Sequence, residues 1–146
     1  MAQFKRKAEA VWLGDLRGGK GRISSESGVL KDAGYSFSTR FENEPGTNPE
    51  ELIAAAHAAC YSMAFANTLA QKGHTPQSIE THATCILASQ EGGGFKIARM
   101  RLQVRGRVPG IDQELFEKIA EEADGGCPVS NLLREGLKIE REVTLL

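Results

Sequence analysis

The most informative stretch of the sequence for the fold is NPEELIAAAHAACYSMAFA, at residues 48–66. Asn48 is a favourable N-cap, Pro49 suits the first helical position, and Glu51 follows the N-cap at the spacing of a capping box. The residues after Glu51 are apolar on nearly every side of a helix, which is typical of a helix buried on most of its surface. Because Gly73 is a common helix stop, the sequence predicts a central helix within residues 48–72.

The residues before this helix predict β-strands. Residues 7–16 and 23–30 alternate loosely and flank a glycine-rich turn. Residues 35–42 alternate more regularly, with three aromatic side chains on one face of the expected strand. We therefore expect an N-terminal β region over residues 1–45.

The residues after the central helix predict two strands, two helices and a final strand. These elements are expected at 79–89, 95–108, 112–123, 128–133 and 137–145. The arginines of the second strand lie on the face opposite its apolar residues, which is typical of a solvated face. With the short helix at 128–133 counted together with the helix before it, the sequence predicts a ββαβ C-terminal region over residues 78–146, and a single α+β domain over residues 1–146.

The composition excludes several classes of protein. A chain of 146 residues has the length of one domain. With 18 Lys and Arg against 19 Asp and Glu, it lacks the basic excess of a nucleic-acid-binding protein. Its longest strongly apolar run, at residues 52–60, is shorter than the roughly 20 residues of a membrane span, and its first residues contain no signal-peptide core. We expect a cytoplasmic protein that binds neither nucleic acid nor membrane.

The three cysteines, Cys60, Cys85 and Cys127, carry the candidate chemistry. An odd number without a C-x-x-C pair argues against a disulfide framework and a zinc ribbon. Position alone favours core packing for Cys60, which lies inside the central helix, and for Cys85, which lies in a strand. Cys127 directly precedes Pro128, so it is either the N-cap of a short helix, where the helix dipole lowers a thiol pKa, or a simple turn residue. The sequence leaves open whether Cys60 and Cys127 meet.

A buried thiol must be activated, and two groups are candidates to activate Cys60. His57 lies three residues earlier, on the same side of the helix, and Arg40 carries a permanent charge that favours a thiolate. Glu42, Glu50 and Glu51 are all near enough in sequence to orient Arg40. Ten helical residues separate Glu50 from Cys60, a rise of about 15 Å. If both belong to one site, a second subunit must bridge the gap. We therefore expect an intertwined homodimer with shared sites.

Two motifs resemble a known family. GTNPEELIAAAHAAC at residues 46–60 closely resembles the signature of the OsmC/Ohr thiol-dependent peroxidases, and GCPVS at residues 126–130 resembles their second cysteine motif. Residues 14–15, 27–30, 35–42 and 108–112 are similar to the osmotically inducible OsmC branch rather than the organic hydroperoxide resistance branch. The resemblance implies antiparallel sheets packed around a long buried central helix, in an intertwined homodimer with active sites at the interface.

The resemblance also implies the roles of the site residues. Cys60 corresponds to the peroxidatic cysteine, Cys127 to the resolving cysteine, and Glu50 to the acidic residue of the family's Asn-Pro-Glu motif. Arg40 corresponds to the arginine of the OsmC branch. Arg17 and Arg22 remain alternatives, because they flank the first glycine-rich turn, from which the other branch takes its arginine.

The chemistry implied is the reduction of organic hydroperoxides, alkyl or fatty acid, to alcohols in osmotic and oxidative stress defence. Cys60 becomes a sulfenic acid, Cys127 closes a disulfide with it, and an external dithiol of the dihydrolipoyl type reduces that disulfide. No metal, flavin or haem cofactor is required. Cys85 is expected to serve only packing, and His57 to be structural.

Two other functions are compatible with the same residues. Cys60 and His57 would suit an acyl-transfer hydrolase, although a buried helix offers no obvious oxyanion hole. The same disulfide would also suit a thiol redox sensor or a hydrophobic-ligand binding protein that uses it as a switch. Repeated turnover of a hydroperoxide distinguishes a peroxidase from a switch.

Overall fold

The structure is a computed structural model that describes residues 1–143. It is an α+β fold, as the sequence predicts. Its elements, in chain order, are β1 Ala8–Leu13, β2 Lys20–Ser25, β3 Ala33–Tyr35, α1 Phe37–Phe41, α2 Pro49–Gln71, β4 Ser78–Ser89, β5 Phe95–Arg107, α3 Gln113–Gly125 and α4 Pro128–Glu135.

The chain forms two compact units. The first unit consists of Met1–Ile53 and Leu87–Ile97, and the second of Ala54–Ile86 together with the chain from Ala98 onward. The single domain over residues 1–146 stays a prediction.

The first unit contains a three-stranded antiparallel sheet in the order β1-β2-β3. Gly21 of β2 pairs with Trp12 on one side and with Tyr35 on the other, and the two rings are tilted with centroids 5.3 Å apart. A Cβ atom at Gly21 would lie 2.3 Å from the Tyr35 ring. The close packing of the two rings therefore requires glycine at this position.

The strand predicted over residues 35–42 is wrong. The chain leaves β3 at Tyr35 and forms the short helix α1 instead. Ser36 and Thr39 make a capping box: Ser36 Oγ accepts a hydrogen bond from the Thr39 N–H, and Thr39 Oγ1 accepts one from the Ser36 N–H. These local bonds satisfy the backbone of the first helical turn, and they outweigh the alternating pattern. The predicted β region over residues 1–45 thus includes a helix.

The central helix is confirmed as α2. Its N-cap is Asn48, whose Oδ1 accepts a hydrogen bond from the Glu51 N–H at 2.8 Å. At the other end, Gly73 has a φ of +85°, and the His74 N–H donates to the Leu69 carbonyl at 2.8 Å, as in a glycine-terminated helix.

The burial of α2 within one chain is one-sided, in contrast to the burial on most sides that the sequence predicts. Tyr61, Phe65 and Leu69 are buried on one face. The opposite face is exposed and consists mainly of small or apolar residues, namely Ala55, Ala56, Ala59, Met63, Asn67 and Ala70. By length and composition alone, α2 is also long and apolar enough to cross a membrane, a test that core helices pass as well.

The C-terminal elements follow the predictions up to α4. Strands β4 and β5 form a two-stranded sheet, and α3 and α4 follow them. The core of the second unit contains Tyr61, Phe65 and Leu69 of α2, Ile119 and Ala123 of α3, and Cys127. Asp112 caps α3, where its Oδ1 accepts a hydrogen bond from the Leu115 N–H at 2.9 Å.

The final strand predicted over residues 137–145 is wrong for the part that the structure describes. Residues 137–143 have no regular secondary structure, and Leu145 lies outside the described residues. Leu137, Ile139 and Val143 are 69–87% exposed. An alternating pattern marks residues that suit a strand, but a strand needs a neighbour for its backbone hydrogen bonds. The order after α2 is therefore ββαα in the described chain, not the predicted ββαβ.

Candidate active site

Cys60 and Cys127 meet in the second unit. Their Sγ atoms lie 3.5 Å apart, and both thiols are free. Cys60 lies on α2 and is partly exposed, whereas Cys127 precedes α4 and is fully buried. A disulfide bond is about 2.05 Å long, so the pair is a reduced dithiol at contact distance. The structure thus answers the question that the sequence leaves open.

Cys127 is the N-cap of α4, as one of the two readings of the Cys-Pro pair predicts. Its Sγ accepts a hydrogen bond from the Ser130 N–H at 3.5 Å, and Pro128 occupies the first turn. Burial raises the pKa of the Cys127 thiol. Hydrogen bonds from the Ser130 hydroxyl and N–H, the Cys60 thiol and the Val129 N–H outweigh this effect, so the pKa lies below its ordinary value.

The Cys60 thiol behaves in the opposite way. Burial raises its pKa, the Val129 N–H partly offsets this, and the neighbouring Cys127 raises it further. Its net pKa lies above the ordinary value. Within the second unit the surrounding groups therefore lower the pKa of Cys127 and raise that of Cys60.

His57 does not bond to Cys60, although the helical spacing predicts a shared face. Its Nε2 lies 2.7 Å from the Ser130 Oγ, and both residues are buried. Its Nδ1 is buried and has no hydrogen-bond partner within residues 1–143. Burial lowers the pKa of His57, the Asp124 carboxylate raises it, and the Arg134 guanidinium lowers it. The net pKa lies below 6.5, so His57 is neutral near pH 7.

Ser130 is the functional residue that the sequence analysis misses. It lies three residues after the Cys127 N-cap, the position whose side chain and N–H face the cap in a capping box. That spacing within the Cys-Pro-Val-Ser run is a signal that could have identified it. The structure shows that Ser130 contacts both the Cys127 sulfur and His57.

Arg40 and Glu50 form the second pair, in the first unit. Arg40 Nε lies 3.2 and 3.1 Å from the two Glu50 carboxylate oxygens, and its terminal nitrogen lies 2.7 Å from Oε1. Glu50 is 8% exposed in the first turn of α2, and Arg40 lies near the end of α1. This bidentate geometry fixes the guanidinium plane.

The alternative arginines have other surroundings. The Arg17 guanidinium lies 4.7 Å from the centroid of the Phe37 ring. Arg22 is exposed on β2, opposite Val11 and Gly34. Of the three arginines considered, Arg40 is the one that the structure pairs with the acidic residue of the motif.

Two candidates remain to be considered, the third cysteine and a metal site. Cys85 lies half-buried on β4. Within residues 1–143, no group of three His, Cys, Asp or Glu side chains is arranged to hold a metal ion. Two thiols in contact, with different pKa directions, suit a reaction in which one sulfur is oxidised and the other attacks it.

The sequence relatives fit this arrangement. Residues 41–142, more than half of the chain, match the family model described as OsmC-like protein. The chain is 47% identical to peroxiredoxin OsmC of Escherichia coli K12 over 138 residues, which span 94% of this chain and 96% of that protein. It is 30% identical to organic hydroperoxide resistance protein OhrB of Bacillus subtilis 168 over 144 residues, 98% of this chain and 99% of that one.

Solved structures share the fold. The crystal structure of Bacillus subtilis OhrB matches with a TM-score of 0.65 at 26% identity, and covers 88% of this chain and 91% of its own. An organic hydroperoxide resistance protein OsmC from Legionella pneumophila matches with a TM-score of 0.72 at 23% identity, over 93% of each chain. The chain belongs to the OsmC-like protein family.

Proposed function

We propose that this protein reduces organic hydroperoxides to alcohols in stress defence. It is a thiol-dependent peroxidase whose reaction runs through Cys60 and Cys127. The observation that carries the proposal is the 3.5 Å contact between these two sulfurs, in a chain 47% identical to a peroxiredoxin OsmC. The relatives named organic hydroperoxide resistance proteins support an alkyl or fatty acid hydroperoxide as substrate.

The first step is oxidation of Cys60. Its thiolate attacks the distal oxygen of the hydroperoxide, the O–O bond breaks, and the alkoxide takes up a proton and leaves as an alcohol. Cys60 is then a sulfenic acid. Arg40, held by Glu50, stabilises the thiolate and the negative charge that develops on the peroxide oxygens. This cation supplies the activation that the raised pKa of Cys60 requires.

The second step is closure of the disulfide. Cys127 attacks the Cys60 sulfur, the S–O bond breaks, and the oxygen leaves as water. An external dithiol, of the dihydrolipoyl type, then reduces the disulfide by two thiol–disulfide exchanges and is itself oxidised to a disulfide. The chemistry requires no metal, flavin or haem. A thiol pair that must return to the reduced state suits the cytoplasm.

The functional unit in this proposal is a homodimer with two active sites at its interface. The exposed face of α2, rich in alanine, allows a second helix to approach closely. Glu50 and Cys60 are ten residues apart, which in a helix is a rise of about 15 Å. We therefore assign to each site the Arg40–Glu50 pair of one subunit and the Cys60–Cys127 pair of the other.

The test is turnover of cumene hydroperoxide with dihydrolipoamide, beside a glutathione control. We expect many equivalents to be consumed per subunit with the dithiol and few with the monothiol. Cys60→Ser abolishes consumption, since no other residue has its role. The matched control, Cys85→Ser, retains nearly full turnover.

Two outcomes would contradict the proposal. Consumption that stops near one equivalent per subunit indicates a redox sensor or switch instead of a peroxidase. Substantial turnover by Cys60→Ser, or loss of turnover in Cys85→Ser, means that the reactive sulfurs are assigned wrongly.

A further inference from the structure

Four side chains of the second unit form a continuous line of polar contacts. His57 Nε2 lies 2.7 Å from Ser130 Oγ, the Ser130 hydroxyl and N–H both bond to Cys127, and the Cys127 Sγ lies 3.5 Å from Cys60 Sγ. Three helices hold this line together: α2 carries His57 and Cys60, Cys127 follows α3, and Ser130 lies in α4. The proposed peroxidase mechanism assigns no task to His57 or Ser130.

We infer that Ser130 and His57 form a proton relay that serves the resolving sulfur of Cys127. The inference rests on the proposed function, and it deepens it by naming the groups that move the proton in the second step. Ser130 touches the reacting sulfur directly. His57 acts through Ser130 and is therefore a positioning and relay residue.

The surroundings of His57 favour this role over simple packing. His57 is 4% exposed, and its Nδ1 has no hydrogen-bond partner in the described part of the chain. An unpaired buried polar atom destabilises a fold, because the atom loses its water without gaining another partner. An apolar residue would fill the same space without that penalty. A buried imidazole with one nitrogen aimed at a hydroxyl instead suits reversible proton transfer.

The proton transfer is balanced within these groups. The Cys127 S–H gives its proton to Ser130 Oγ, while the Ser130 hydroxyl proton passes to His57 Nε2. The resulting thiolate attacks the sulfur of the Cys60 sulfenic acid, the S–S bond forms, and the S–O bond breaks. The departing hydroxide takes one proton and leaves as water, which returns His57 to its neutral form. When the dithiol attacks Cys60, Cys127 leaves as a thiolate, and the proton that the attacking thiol releases reprotonates it.

The charged groups near the relay determine the pH range in which His57 can accept a proton. Asp124 and Arg134 act on His57 from α3 and α4. At the other end of the relay, Cys60 contacts the Cys127 sulfur, and Tyr61 interacts electrostatically with Cys127 and Asp124. Asp124 stabilises an imidazolium and Arg134 opposes it, while burial keeps the resting ring neutral. His57 is therefore ready to accept a proton near pH 7. Disulfide closure should slow as the pH falls through its lowered pKa, because a protonated ring accepts nothing.

The test separates the two steps in a single turnover. One equivalent of cumene hydroperoxide is added, and the reaction is quenched rapidly. Intact-chain mass spectrometry then measures the rates of sulfenic acid formation and of disulfide closure. The measurements run from about pH 5 to pH 9, a range that spans histidine titration. His57→Gln keeps an amide N–H for Ser130 but takes up no proton. We expect closure to slow by about 10²-fold and its acid limb to disappear, while sulfenic acid forms at close to the wild-type rate.

The matched control is Ser62→Ala, on the same helix. It removes a half-buried hydrogen bond from Ser62 to Thr81 Oγ1, 2.7 Å long, that has no part in the relay. Both steps should keep their wild-type rates and pH profiles. Ser130→Ala should slow closure as His57→Gln does, and Ser130→Thr, which keeps the hydroxyl, should restore it.

The outcomes distinguish this inference from the proposed function. Wild-type closure rate and pH profile in His57→Gln, or in Ser130→Ala if the first variant fails to fold, overturn the relay and leave the peroxidase intact. If the wild-type protein forms no Cys60 sulfenic acid with the hydroperoxide, the proposed function fails instead.

Discussion

The two units of this chain differ in how they hold their functional residues. In the second unit, the Cys127 sulfur belongs to a core of fully or nearly fully buried side chains, including Phe65, Leu69 and Ile119. In the first unit, by contrast, the buried positions within the described residues are two glycines and Glu50. Its large apolar side chains are mostly exposed, as at Val11, Leu13, Leu16 and Phe95.

This contrast shows which part of the chemistry one chain can organise. Core packing and the Cys127 cap of α4 hold the two sulfurs in contact within the second unit. The first unit preassembles a guanidinium with its carboxylate on a surface whose apolar residues have little cover within one chain. A second subunit would cover these apolar residues. Arg40 of one subunit would then lie beside the Cys60 sulfur of the other. The comparison therefore favours a shared site.

The largest effect is expected when inactivating substitutions divide the site between two subunits. Cys60→Ser and the double variant Arg40→Met/Glu50→Gln should each lose activity, the second by about 10²-fold or more, because it removes a preorganised cation. Changing both members of the ion pair avoids leaving an unpaired buried carboxylate. Co-expressed with different tags, the two inactive chains should recover about a quarter of the wild-type activity, because half of the random dimers are hybrids with one intact site.

The control is the purified hybrid dimer, isolated through both tags and compared with each parent dimer. Activity no greater than that of the parents would show that each chain carries its own complete site. Gel filtration that gives a monomer would remove the basis of the shared site as well.

Truncation of an apolar side chain should affect stability far more in the core of the second unit than on the surface of the first. Phe65→Ala should lower the free energy of unfolding by about 3–5 kcal/mol, because Phe65 is fully buried. Val29→Ala, in the first unit at 87% exposure, should change it by less than about 0.5 kcal/mol. Urea unfolding measures both variants at equal protein concentration. A loss of several kcal/mol in Val29→Ala would show that the first unit is covered in the assembled protein.

The pH dependence of stability gives the smallest effect. Burial raises the pKa of Tyr61 to about 12 from an ordinary value of 10. Between these values the unfolded chain loses the proton more readily than the folded chain does, so stability falls as the pH rises. Near neutral pH, Tyr61→Phe should be about 1 kcal/mol less stable than the wild type, because it lacks the hydrogen bond to the Ala120 carbonyl.

Above pH 10 this difference should shrink, and it should vanish at about pH 11. The wild type loses about 2–3 kcal/mol across the titration of Tyr61, at about 1.4 kcal/mol per pKa unit, and the variant does not. Urea unfolding near pH 8 and pH 11 tests this. A constant difference between the two proteins would show that Tyr61 titrates alike in the folded and unfolded chain.

Local signals account for the elements that the sequence predicts correctly. The Asn48–Pro49 and Cys127–Pro128 pairs each place a capping side chain directly before a proline, and both helices begin there. The hairpin between β4 and β5 turns at Gly92–Gly94, each with a positive φ that suits glycine. Such signals involve neighbours in the sequence, so they operate without knowledge of the rest of the fold.

The two strand predictions that are wrong concern alternating stretches whose backbone can also adopt another conformation. Residues 35–42 alternate like a strand, but the Ser36–Thr39 capping box offers the backbone a helix that needs no partner strand. Residues 137–143 alternate as well, yet a strand there depends on a neighbour that only tertiary or quaternary structure provides. In both cases the pattern describes the side chains, while backbone hydrogen bonding decides the element.

The family motifs, the central helix and the short helix after Pro128 follow from the sequence alone, because motifs, caps and helical spacing are properties of nearby residues. The sequence leaves open whether Cys127 caps that helix, and the structure shows that it does. Only the tertiary structure decided that Cys60 contacts Cys127 and that His57 bonds to Ser130 instead of Cys60. These contacts join residues far apart in the sequence, and they depend on how α2, α3 and α4 pack. The opposite pKa directions of the two sulfurs follow from the same packing, since burial and hydrogen-bond donors are set by neighbours that the sequence does not order in space.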